Sequence, residues 1–73
     1  MDHAVFYQDV TAWIQAANQS AASFGMDSSD FWTWAADSTS ALCRKYDDHR
    51  LAIKQMVMLV DWLEEVYESR RVG

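Results

Sequence analysis

The chain has no proline, two glycines and one cysteine in 73 residues, and each scarcity excludes something. Without proline, and with glycine only at positions 25 and 73, few sites can force a turn. The many Ala, Leu, Met, Gln and Glu residues favour helix throughout. A lone Cys43 cannot close an internal disulfide, so a reducing, cytoplasmic setting is expected. Long apolar runs are missing too: nothing approaches the ~20 residues of a membrane span. The start Met1-Asp2-His3 is not the basic region of a signal peptide. Basic residues are few, six against eleven acids for a net charge of −5. They fall in short groups, Arg44-Lys45, Arg50, Lys54 and Arg70-Arg71, and make no basic face to displace counterions from phosphates. Nucleic acid is therefore not an expected partner.

Apolar material is plentiful. Hydrophobic residues make up 51% of the chain, with four Trp, three Tyr and three Phe. That is too apolar for a disordered tail. It is also rich in large side chains for so small an interior, so some of them are expected at the surface as contact sites.

Hydrophobic periodicity divides the chain into helices over about 3–24, 29–46 and 48–70, a single all-α domain. The first segment puts Phe6, Val10, Trp13, Ile14, Ala17, Ala21 and Phe24 on one face. Asp2 is its natural N-cap and Gly25 its stop. Asp27 or Ser28 can cap the second segment, Asp30 adds charge in its first turn, and Phe31, Ala35, Leu42 and Tyr46 form its apolar face. The third carries a main stripe of Ile53, Met56, Val57, Val60, Leu63 and Tyr67, with Arg70 and Arg71 closing it at the negative end of the helix dipole.

The joint at residues 46–48 admits two readings. Arg44-Lys45 followed by Asp47-Asp48 suits one helix ending and another beginning. Against a break, Trp32, Thr39, Tyr46, Ile53, Val60 and Tyr67 recur every seven residues, as in a coiled coil. One helix of about 40 residues would be ~60 Å long and would dimerise through its heptads. The break, giving a three-helix bundle, is the expected form. If Asp47 caps the third helix, Asp48 is its first residue and proline is tolerated there.

The chemistry-bearing residues form no familiar site. Cys43 and His49 could pair as nucleophile and base, but no glycine-rich loop offers an oxyanion hole. Adding Asp47, Asp48 or His3 gives no paired Cys or His at zinc-ligand spacing. Glu64-Glu65 and Asp47-Asp48 are sequence neighbours that point about 100° apart on a helix. No enzyme, cofactor, metal or small-molecule substrate is expected. The general look is similar to that of small bacterial or phage-encoded helical regulators, chaperones and adaptors. Small helical-hairpin secretion substrates carry a Trp-x-Gly turn where this chain has Ser23-Phe24-Gly25-Met26, so that family is not carried over.

One pattern resists the amphipathic scheme. On a wheel with His49 at 0°, the main stripe spans about 260° through 0° to 80°. Leu51, Met58 and Trp62 instead cluster near 180–220°, with Gln55 beside them. Trp34 is a similar outlier, standing with Ala41 and Lys45. These four residues are the expected contact surface for a homodimer or a protein partner. The expected function is a protein–protein interaction module; the alternative is an obligate structural subunit that completes the helical bundle of a larger assembly.

Overall fold

A computed structural model describes residues 2–71. Met1, the Arg71 side chain, Val72 and Gly73 lie outside the described residues, and with them the closing role expected of Arg71. Three helices follow one another: α1 His3–Phe24, α2 Ser29–Lys45 and α3 Arg50–Arg71. The molecule measures 40 × 19 × 17 Å. A 22-residue helix rises ~33 Å, so the long dimension is one helix and the cross-section is a bundle. A single helix through the joint does not fit that length.

Local chemistry sets the helix ends. The Asp2 carboxylate accepts from the Ala4 and Val5 amides at 3.0 and 3.2 Å, satisfying donors that the first turn leaves free. Gly25, at φ 80°, ends α1 and donates its amide to Ala21 O at 2.9 Å. Ser28 Oγ accepts from the Asp30 amide at 3.1 Å and opens α2. Arg44 and Lys45 occupy the last turn of α2, where the dipole favours cations.

The corner between α2 and α3 is a break, but not the one the sequence predicts. Asp48 is not the first helical residue; Asp47 and Asp48 both stand in the left-handed region at φ 55°. The Asp47 amide donates to Arg44 O and the Asp48 amide to Cys43 O, at 3.0 and 2.9 Å. That pair of bonds is a Schellman closure, with Asp47 where glycine usually stands. The helix cap is His49, whose Nδ1 accepts from the Leu51 amide at 3.1 Å. Proline at position 48 is therefore excluded twice, by its fixed negative φ and by the amide it would remove.

Contacts fix the topology. Trp13 of α1 stacks on Trp34 of α2 at 5.5 Å, and Phe6 meets the Tyr46 ring edge-on at 5.2 Å. Trp32, early in α2, meets Tyr67, late in α3, at 5.9 Å. Hence α2 runs antiparallel to both neighbours, and α1 and α3 run parallel. The core is Phe6, Val10, Trp13 and Ala17 from α1, Phe31, Ala35 and Cys43 from α2, and Ala52, Met56, Leu59 and Leu63 from α3, closed at one end by Met26. Among the described residues no polar or charged residue is buried.

Two expectations for the apolar faces need correcting. Phe24 of α1 is exposed rather than buried. In α3 the buried stripe is Ala52, Met56, Leu59 and Leu63, while Ile53 and Val57 are 41% and 54% exposed. The inward face is turned by about 40° from the one the periodicity centres. That rotation brings Leu51 half inside, against the core.

Candidate functional site

Among the described residues no hydrogen bond joins Cys43 to His49. The thiol is buried on α2, and desolvation, aided by the nearby Asp48 carboxylate, pushes its pKa up. A raised pKa keeps the sulfur protonated and unreactive. His49 is exposed at the corner, and its Nδ1 accepts from the Leu51 amide. Among the described residues no group of three His, Cys, Asp or Glu side chains is placed to hold a metal ion. Nor, among the described residues, is any helix long and apolar enough to cross a membrane.

One polar cluster spans α1 and the end of α2. Asp9 Oδ2 accepts from Lys45 Nζ at 2.8 Å and from the Tyr46 hydroxyl. Those two bonds, the lysine's first, hold the Asp9 carboxyl below its usual pKa, and the same carboxylate pushes the Tyr46 phenol up to about 12. A second polar tie lies further along: Trp13 Nε1 donates to Ser38 Oγ at 2.8 Å, and Ser38 Oγ donates to Ala35 O at 3.3 Å. Together these bonds anchor α1 to α2. Sequence periodicity gives no sign of it, because Asp9 and Lys45 are 36 residues apart.

The four predicted contact residues divide. Met58 and Trp62 are 56% and 41% exposed. Leu51 and Trp34 are half-buried and pack against the core. Trp34 lies between Trp13 and Phe31 and roofs a shallow groove of about 400 Å³ between α1 and α2, with Ala12, Ala16 and Ala41.

Met58 and Trp62 occupy a different seam, and the contacts locate it. On α1, Asp9 and Trp13 mark the flank towards α2, so Tyr7, Ile14 and Ala21 lie on the flank turned away from it. On α3, Tyr67 marks the flank towards α2 through Trp32, which leaves Leu51, Gln55, Met58, Trp62 and Val66 on the opposite one. In a three-helix bundle those two free flanks adjoin each other. This is also where the backbones approach least, because α2 packs closely on both neighbours while α1 and α3 touch only weakly. Ile14, Ala21, Leu51 and Val66 floor the seam, half-buried against the core. Tyr7 on one wall, and Met58 and Trp62 on the other, stand exposed.

The wall residues carry no charge, although the chain as a whole is acidic. Tyr7 and Ile14 could not be assigned to a site by wheel position alone, since their role depends on which neighbour α1 faces. Comparison with protein-family models, curated proteins and solved structures finds no match for this chain.

Proposed function

We propose that this chain is a protein-interaction module whose α1/α3 seam receives an apolar, uncharged helical stripe from another protein. The carrying observation is the exposure of Met58 and Trp62 on the wall of an uncharged seam between two parallel helices that barely touch. Such a seam matches helix-in-groove recognition, where an amphipathic helix lays its apolar face into a groove. Met58 suits it because a flexible thioether adapts to the partner's contour, and Trp62 because tryptophan concentrates binding energy at contact centres. The closed core of the single chain supports a stand-alone module over a subunit that folds only within a larger assembly. The reading has no catalytic step, cofactor or nucleic-acid contact. It puts the chain in the cytoplasm, which the single unpaired Cys43 supports.

The test begins with a photo-reactive side chain at position 58 and, as control, at Gln8 on the exposed side of α1. The partner cross-linked from position 58 is identified, purified and titrated against the wild type and Trp62→Ala. The reading expects cross-linking from position 58 alone, and affinity for the purified partner about 30-fold weaker in Trp62→Ala, equivalent to ~2 kcal/mol. Equal cross-linking from both positions, or unchanged affinity, overturns it.

A further inference from the structure

The outward face of α3 carries a second pattern, independent of the seam. Ile53 and Val57 stand on it, 41% and 54% exposed. Arg50 and Lys54 lie on the N-terminal side of Val57; Asp61, Glu64 and Glu65 lie on the C-terminal side. All five charged residues are exposed. A solvated helix gains from opposite charges three or four residues apart, and these charges are arranged against that rule. Arg50 has Lys54 four residues on, and Asp61 has Glu64 and Glu65 three and four residues on. None of Arg50, Lys54, Asp61 and Glu64 has an ion-pair partner among the described residues. Like charges at this spacing destabilise a lone helix. The same layout suits a helix that meets a reversed copy of itself.

The spacing around Val57 makes that complementarity specific. Arg50 lies seven residues before Val57 and Glu64 seven after it, each ~10.5 Å along the axis. When two α3 helices pair antiparallel about a two-fold axis at Val57, Arg50 of one copy stands level with the partner's Glu64. Lys54 stands within ~1.5 Å of the level of the partner's Asp61. On the wheel Lys54 and Asp61 lie near 140° and 120°, the same side of the contact, as an antiparallel pair requires. Val57 fills the centre, and Ile53, near 40°, lies on the side away from Lys54 and Asp61. Parallel pairing, by contrast, sets carboxylates against carboxylates.

We propose that two copies of this chain associate through antiparallel α3 helices, with Val57 at the two-fold axis, the Lys54–Asp61 pairs along one side of the contact and the Arg50–Glu64 pairs at its two ends. The contact is small, two exposed aliphatic side chains from each copy inside a charged rim, so it belongs with weak, reversible interfaces. Exposed ion pairs of this kind set orientation and are screened by salt. The seam of Met58 and Trp62 lies on another flank and stays open in the dimer.

The test is charge exchange read by sedimentation equilibrium, with circular dichroism to confirm helicity. Wild type is expected to reach dimer mass as its concentration rises through roughly 10 μM to 1 mM, and to fall back towards monomer in about 1 M salt, where the Debye length is ~3 Å. Arg50→Glu with Lys54→Glu, and separately Asp61→Lys with Glu64→Lys, should each remain monomeric. Mixed one to one, the two variants should form a heterodimer. Met58→Ala with Trp62→Ala should dimerise like wild type, which separates this proposal from the seam reading. A wild type that stays monomeric throughout, a dimer indifferent to charge reversal, a mixture that fails to associate, or a dimer abolished by the seam variant overturns the proposal.

Discussion

The two outer helices, α1 and α3, share one core and differ almost everywhere else. Inside, they are equivalent: Phe6 of α1 and Met56 of α3 are both fully buried. Outside, α1 shows Ala4, Gln8, Thr11, Gln15, Asn18 and Gln19, uncharged and small or polar, together with the exposed Val5, Tyr7 and Phe24. Its one mid-helix acid, Asp9, is committed to Lys45 and Tyr46. The exterior of α3 carries separated blocks of charge and four exposed large apolar residues, Ile53, Val57, Met58 and Trp62. A helix that only has to be anchored needs a core stripe, a cap and a polar tie, and α1 has these. The charge blocks and exposed apolar residues of α3 are the basis of the two proposed contacts.

The helices also begin differently, and breaking that difference gives the largest effect. α1 starts from an extended Asp2 at φ −86°, whereas α3 is entered through two aspartates in the left-handed region. Asp48→Pro is expected to cost ~3 kcal/mol or more, from the wrong φ together with the lost bond to Cys43 O. A denaturant melt that moves by less than ~1 kcal/mol would mean that the corner is not built this way. Glycine at either aspartate relieves the strain, so Asp47→Gly or Asp48→Gly should stabilise the fold by ~1 kcal/mol. No such gain is available at Gly25, where the corner already holds glycine.

A smaller effect tests the anchoring of α1. The Asp9 carboxyl is held below its ordinary value by Lys45 and Tyr46. Its contribution to stability is therefore complete above the ordinary carboxylate value of 3.8 and is lost as pH falls through the depressed one. Tyr46 carries the opposite sign: its proton is retained up to about 12, so the bond weakens only as pH climbs from 10 towards 12. The stability difference between wild type and Asp9→Asn should be flat from pH 5 to about 9 and shrink towards both extremes. A difference that grows on acidification would contradict the assignment.

These contrasts show which parts of the molecule are legible in sequence. Helix ends marked by local chemistry are: Asp2, Gly25 and Ser28 stand where capping rules put them. The switch from Lys45 to Asp47 marks the second corner, but not its geometry, because aspartate in the left-handed region has no signal as strong as glycine's. The inward face of α3 is off by about 40° because periodicity counts Ile53 and Val57 as core by residue type. Only the packing of α2 determines that Ala52 and Leu59 take the inner positions. Met58 and Trp62 are legible as outliers because no single amphipathic face can include them. The Asp9–Lys45–Tyr46 tie and the seam walls depend on which helix neighbours which, and that is a tertiary fact.

The proposed seam requires Met58 and Trp62 to lie outside the part of the molecule that folds it. The most direct test compares chemical melts of Met58→Ser with Trp62→Ser against Phe6→Ala, the two variants measured side by side. Phe6→Ala empties a fully buried site and should cost ~3–5 kcal/mol. The double variant removes side chains already about half in water, and should keep a cooperative transition and lose less than half as much. A double variant that loses as much as Phe6→Ala, or melts without a cooperative transition, would place both residues in the core and contradict the account.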